Sequence, residues 1–206
     1  MLDEAALADD AVRLCQALIR LDTTNPPGRE RAAADLLATE LASAGLEPTV
    51  LDSAPRSGNV IARLRGSGAK PPLLLSAHLD VVEADPAAWT RPPFSGDIAD
   101  GFLWGRGAVD MKHMAAMSVA LLKALRGAKL QRDVIFAGVA DEEAGSDQGA
   151  AWLVANHPER VRAEYGLGEV GCFSMYLGKA TLYPIQVAEK GFAWLRARVR
   201  GAPGHG

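Results

Sequence analysis

His78, Asp80, Asp110, Glu142, Glu143 and Glu169 are the residues of this chain whose types and placement suit chemistry. Each stands just beyond an apolar, strand-like run or at the mouth of a helix. His78 and Asp80 close PPLLLSAHLD, Asp110 opens the helical part of GRGAVDMKHMAAM, Asp141, Glu142 and Glu143 follow DVIFAGVA, and Glu169 follows RAEYGLG. Strands that end at one edge of a sheet empty into a shared cleft, and imidazole nitrogen with carboxylate oxygens is a donor set for a divalent cation. The reaction expected of such a centre is hydrolysis by metal-activated water.

The spacing assigns tasks. His78 and Asp80 are two apart, so in extended backbone they point to the same side, and the carboxylate can orient a metal-bound imidazole. Asp110 has two oxygens able to bridge cations about 3.5–4 Å apart, and a helix N-terminus favours its charge. Glu142 and Glu143 are adjacent and diverge, so one can ligate a metal while the other faces substrate and moves a proton. Two carboxylates about 4 Å apart repel by about 4 kcal/mol at an effective dielectric of 20, a conflict that a divalent cation resolves. Taken singly, an HxD would more often be a turn histidine and a DEE a solvated loop; their occurrence at successive strand ends turns the reading to metal. Asp141 reads as structural, His157 before Pro158 as a surface or C-cap residue, and Trp89 and Trp104 as loop anchors.

The elements that must position these groups are legible as periodic patterns. Leu7, Ala11, Leu14, Cys15, Leu18 and Leu21 predict an amphipathic helix over 4–21, and Ala33, Leu36, Leu37 and Leu41 another over 29–44, stopped by Gly45. Strands are expected at 47–52, 59–65, 72–78 and 133–140, with helices near 110–126 and 147–156. The nearly continuous apolar character of PLLLSA and VIFAGVA fits central strands covered on both faces, hence an α/β fold with a mostly parallel sheet flanked by helices. The long connection 79–109 carries acidic residues at its ends and reads as functional. Beyond Gly178 the texture changes. Ala193, Leu195, Ala197 and Val199 alternate with Trp194, Arg196, Arg198 and Arg200, a strand with one dry face and nothing after it to cover that face. The expected division is therefore 1–184 as a catalytic metal-binding domain and 185–206 as the start of a truncated second domain, the whole an N-terminal fragment.

Composition narrows the partners. With 206 residues, 49% of them hydrophobic and 23% charged, the chain can bury one real core. The 22 basic and 25 acidic residues leave a net charge of −3 and form no basic stripe, which argues against nucleic acid. Cys15 and Cys172 match no zinc or redox spacing and read as free thiols in a reducing cytoplasm. MLDEAALADD lacks the charged and apolar regions of a secretion signal, and no apolar run approaches the roughly 20 residues of a membrane span. GLGEVG at 166–171 matches GxGxxG literally, but the following CFSMYLGKATLYP is no helix; a P-loop and a GxSxG are absent.

SAHLDVV, GRGAVDMKHMAAM, DEEAGSDQGA and GEVG, in this order, resemble the zinc-dependent aminoacylase/carboxypeptidase family that includes glutamate carboxypeptidase, acetylornithine deacetylase and succinyl-diaminopimelate desuccinylase. The resemblance implies a zinc-exopeptidase-like catalytic domain and two Zn2+ ions, replaceable by Co2+ or Mn2+. It implies that His78 and Glu169 bind one zinc and Glu143 the other, that Asp110 bridges both, that Glu142 is the general base and that Asp80 supports His78. It further implies a cis peptide after Asp110, a lid domain beginning near GAPGHG whose His205 stabilises the oxyanion, commonly from a partner subunit, and homodimers through that lid. Glutamate at 169 leans toward deacylases and carboxypeptidases, with N-acyl amino acids or short peptides as substrates. The family's last zinc ligand, a histidine late in a much longer chain, has no counterpart here, and His113 and Met114 stand where relatives often have glycine. The alternative is a catalytically silent metal-binding or interaction fragment. Substrate identity and oligomeric state stay open.

Overall fold

In the computed structural model, which describes residues 2–169, 174–184, 187–188, 195–198 and 200–201, the first apolar stripe forms helix α1, Glu4–Ile19. Asp3 caps it by accepting from the Ala6 amide at 3.1 Å. Helix α2, Glu30–Ser43, ends as its sequence predicts. Gly45 takes φ +76° while its amide bonds Ala42 and the Leu46 amide bonds Leu41, a Schellman closure. Strands β1 (Thr49–Ala54), β2 (Ser57–Leu64) and β3 (Leu73–His78) follow. The short ladder of β4 (Ile98–Ala99) and β5 (Phe102–Leu103) lies in the 79–109 connection. Then come α3 (Lys112–Ala124), β6 (Val134–Val139), α4 (Ala150–Asn156), α5 (Pro158–Val161) and β7 (Tyr165–Leu167).

The central sheet has the order β1-β2-β6-β3-β7. β3 runs parallel to β6 and β7, whereas β2 is antiparallel to β1 and β6, so the sheet is mixed and its parallel part is the part that carries the candidate site. β3–α3–β6 is a crossover unit that sends two neighbouring strands in the same direction. His78, Asp141 and Glu169 therefore leave β3, β6 and β7 at one edge, with His78 in register with Val139.

Alternation along the central strands splits the core into two layers. Leu75, Ala77 and Phe136 pack with α1, α2 and α3 through Leu14, Leu18, Leu37, Leu41, Val119 and Leu122. Ile61, Ile135, Ala137 and Val139 pack on the other face against Leu153 and Trp152. Each fully buried leucine or phenylalanine contributes about 1.5–3 kcal/mol. Lys112 is buried within the helical layer, where its Nζ donates to the carbonyls of Leu18 (3.0 Å) and Leu21 (2.7 Å), at and just past the end of α1. The charge meets the negative end of that helix, and burial still pushes the Lys112 pKa down to about 8.

The 79–109 connection is ordered by packing on α1. Gln16 and Arg20 donate to the Gly96 and Ser95 carbonyls, and Arg106 and Arg91 stack on Trp89 and Trp104, the anchoring role expected of those rings. His157 caps α4 by bonding its amide to Leu153. Among the described residues no helix is long and apolar enough to cross a membrane.

The chain divides into two compact units, Met1–Glu169 and Val170–Gly206, and the division expected at 184 and 185 lies inside the second. That unit contains a hairpin of β8 (Met175–Leu177) and β9 (Ala180–Leu182) turning at Gly178. Of the strand expected at 193–200, Ala193, Trp194 and Val199 lie outside the described residues, and 195–198 carry no strand. Cys172 also lies outside them; Cys15 is a buried free thiol.

Helix α4 starts at Ala150 rather than 147: Gly149 has non-helical backbone (φ −116°, ψ −116°) and lies so close to the end of β6 that a Cβ there would collide with the Ala140 carbonyl oxygen. Gly149→Ala is therefore expected to destabilise the fold by at least about 1–3 kcal/mol, as overpacking does, measured by urea unfolding. Unchanged stability would mean that the 141–149 turn is not held against β6.

Candidate metal centre

His78 ends β3 and is 2% exposed. Its Nδ1 lies 3.0 Å from the backbone carbonyl of Asp80 and 3.4 Å from the Asp80 carboxylate. Donation from Nδ1 to that carbonyl means that when Nε2 gives up its proton to a cation, its lone pair is directed outward, the tautomer a metal ligand needs. Around Nε2 stand Asp110 Oδ1 at 3.0 Å, Glu169 Oε2 at 3.8 Å and Glu142 Oε2 at 3.9 Å.

Asp80 is wholly buried and does more than orient His78. Its two oxygens accept from the amides of Glu142 (3.1 Å) and Glu143 (3.0 Å) and from the Asn25 side chain (2.9 Å). One carboxylate thus ties the end of β3 to the turn after β6. Burial works against its charge, yet the bonds from His78, Asn25 and the Glu143 amide hold Asp80 below the usual carboxylate range. The turn itself depends on Asp141, expected to be structural, which takes φ +63° and accepts from the Gln148 amide at 3.0 Å.

Asp110 precedes α3, and its peptide bond to Met111 is cis, as the resemblance implies. Met111 Sδ in turn accepts from the His78 amide at 3.3 Å. Asp110, Glu142 and Glu169 are half-exposed, so the carboxylates line an open cleft above a buried imidazole. Two sets of ligand atoms each converge within 4.8 Å: His78 with Asp110 and Glu169, and His78 with Glu142 and Glu143. Desolvation, then the Asp110 charge, pushes Glu143 and Glu169 upward. Burial alone would lower His78, but Asp80 and the Glu142 and Asp110 charges outweigh it and hold the imidazole at about 9. This is the electrostatic pattern of anions gathered for a cation, and imidazole with carboxylates is a donor set that zinc accepts.

The structure brings His78, Asp80, Asp110, Glu142, Glu143 and Glu169 together. His205 lies outside the described residues. Sequence reasoning passed over three buried polar residues around the site. Asn25 sits in an Asn-Pro-Pro-Gly turn and Lys112 in a first helical turn, where local pattern signals only a bend and a solvated charge. Glu30 opens α2 wholly buried, with neither carboxyl oxygen hydrogen-bonded among the described residues, and burial raises its pKa. A Glu two residues after Gly28, at the start of α2, was the only available hint.

Residues 74–180 match the peptidase family M20/M25/M40. The chain is 39% identical over 149 residues to a succinyl-diaminopimelate desuccinylase of Cereibacter sphaeroides, covering 70% of this chain and 38% of that protein. It is 33% identical over 207 residues to aminoacylase-1 of Sus scrofa, covering 95% and 48%. Among solved structures, the M20 family metallo-carboxypeptidase Sso-CP2 from Sulfolobus solfataricus aligns with a TM-score of 0.68 at 22% identity, over 78% of this chain and 37% of that one. Human carnosine dipeptidase 1 aligns with a TM-score of 0.65 at 23% identity, over 78% and 38%. The chain spans less than half the length of these relatives.

In metal-free protein, His78 holds its proton more tightly folded, at about 9, than unfolded, at 6.5. Its stabilisation is complete below pH 6.5 and is lost as pH rises toward 9. Glu143 and Glu169, raised on folding, act in the same direction, whereas Lys112, lowered to about 8, adds stability only above that pH. In chelator, Tm is expected to fall from pH 6.5 to 8, and Asp80→Asn to flatten the slope. A wild-type profile that rises over this window would contradict the assigned electrostatics.

Proposed function

The chain belongs to the peptidase family M20/M25/M40, and from that premise we propose that the protein hydrolyses amide bonds in N-acyl amino acids or short peptides. The observation that carries this reading is the convergence of one imidazole and several carboxylates at the edge where β3, β6 and β7 end. His78, Asp110 and Glu169 would hold one zinc ion, and Asp110 with Glu143 a second. The metals would supply a Lewis acid for the carbonyl and a water acidified toward neutrality.

The chain's own residues do the rest. Although adjacent side chains in extended backbone would diverge, the turn brings the Glu142 and Glu143 carboxylates together beside His78, and Glu142 keeps a half-exposed carboxylate 3.9 Å from His78 Nε2, open to the cleft. It accepts the proton of the attacking water as the oxygen bonds to the amide carbon, then returns that proton to the departing nitrogen as the C–N bond breaks. Asp80 keeps His78 in its ligating tautomer and holds the backbone of Glu142 and Glu143 in place.

Residues 1–184 would be the catalytic domain and 185–206 the start of a lid through which full-length copies pair, with His205 meeting the oxyanion of the partner's site. A cytoplasmic location and small-molecule substrates, rather than nucleic acid or membrane, belong to the same proposal.

Glu142→Gln in the full-length protein is expected to lower kcat by about 10²- to 10⁴-fold with bound zinc unchanged, measured on a panel of N-succinyl and N-acetyl amino acids and dipeptides. Near wild-type turnover would reject Glu142 as the base. No hydrolysis of any panel member by the zinc-loaded wild type would reject the substrate class.

A further inference from the structure

The segment between α1 and α2 is bonded to three of the parts that carry candidate ligands, those bearing His78, Asp110 and the Glu142–Glu143 pair. Lys112, two residues from Asp110, donates to the Leu18 and Leu21 carbonyls. Thr23 Oγ1 donates to the carbonyl of Leu79 at 2.6 Å, the Val81 amide donates to Thr23, and the Asn25 amide donates to Val81. These bonds place the Asn25 side chain, 8% exposed, between the two loops that bear His78 and Glu142–Glu143.

There its single amide nitrogen spends both hydrogens on carboxylates. Nδ2 is 2.9 Å from Asp80 Oδ2 and 2.9 Å from Asp141 Oδ1. An amide nitrogen has two donors, and bonds to ionised acceptors are the stronger kind. Asp80 stands behind His78 and holds the Glu142 and Glu143 amides; Asp141 immediately precedes Glu142 and anchors the far end of the turn through the Gln148 amide. Without a neutral donor between them, the two carboxylates would face each other unscreened and push the β3 end away from the turn after β6.

We propose that Asn25 is a positioning residue which sets the gap between His78 and the Glu142–Glu143 pair, and thereby the affinity of the centre for its metal. This rests on the reading of the cleft as a metal site. Asn25 itself touches neither metal nor substrate. Its action passes through Asp80 and Asp141, the kind of outer contact whose loss lowers metal affinity by roughly 10–100-fold.

The test uses the full chain and three readouts: zinc affinity by competition with a chromophoric chelator, the visible spectrum of the cobalt-loaded protein, and Tm in EDTA. Asn25→Leu keeps the size and removes both donors, and is expected to weaken zinc binding by roughly 10–100-fold and to change the cobalt spectrum. Asn25→Gln, which retains both donors on a longer arm, is expected to recover much of the affinity. Should the leucine variant fail to fold, Asn25→Ser, with one short donor, carries the test with the same expected direction. A folded leucine or serine variant with a lowered Tm but wild-type zinc affinity and cobalt spectrum would show a merely structural role and overturn the proposal. Wild-type protein that binds neither zinc nor cobalt would instead sink the metal reading on which it stands.

Discussion

Asp110, Glu142, Glu143 and Glu169 crowd one edge of the sheet around the buried imidazole of His78, and the surrounding structure must hold these charges together against their repulsion. At an effective dielectric of 20, each pair of carboxylates about 4 Å apart costs about 4 kcal/mol. The cost is borne because the groups are not free to separate. His78 is the last residue of a central strand, Asp110 enters a helix packed on two others, Glu142 and Glu143 hang from a turn bonded to Asp80, and Glu169 leaves β7. A centre built this way is ready for a cation before one arrives.

The parallel arrangement is what makes such crowding possible. Strands that run the same way deliver their C-terminal ends to one edge, so three different stretches of chain supply side chains to one cleft. The antiparallel strands β1 and β2 contribute no ligand; they extend the sheet and support the turn, with Asn59 accepting from the Ala140 amide at 3.0 Å. The helical layer serves the same end. Lys112 is buried at the cost of a depressed pKa, and in exchange the helix after Asp110 is bolted to the end of α1. Charged groups crowd the cleft while the core from Leu14 through Phe136 to Leu122 is apolar and buried. A preorganised charged site resting on a rigid apolar floor is the division expected of an enzyme.

The amino-acid sequence by itself determined helices α1–α4, strands β1, β2, β3 and β6, and the list of candidate ligands, but not β7, which delivers Glu169. Helical periods placed α1 and α2 within a few residues, Gly45 stopped α2, and the unbroken apolar runs marked β3 and β6 as central strands. His78, Asp110, Glu143 and Glu169 stood out because a polar ligand type after a buried strand or before a helix is a local pattern, readable without knowing what lies opposite.

Only the tertiary structure decided which groups meet. It set the strand order, the nearer approach of the Asp80 carbonyl than of its carboxylate to His78 Nδ1, the burial of Glu30 and Lys112, and the two hydrogen bonds that Asn25 donates to residues 55 and 116 positions away. Asn25 looked like an ordinary turn residue because its partners are brought to it by the packing of α1, β3 and β6 and not by any spacing within its own segment. The physical reason is the range of the interactions: backbone preference and hydrophobic period act over a few residues, whereas hydrogen bonds and charge repulsion depend on distances that exist only once the chain has closed on itself.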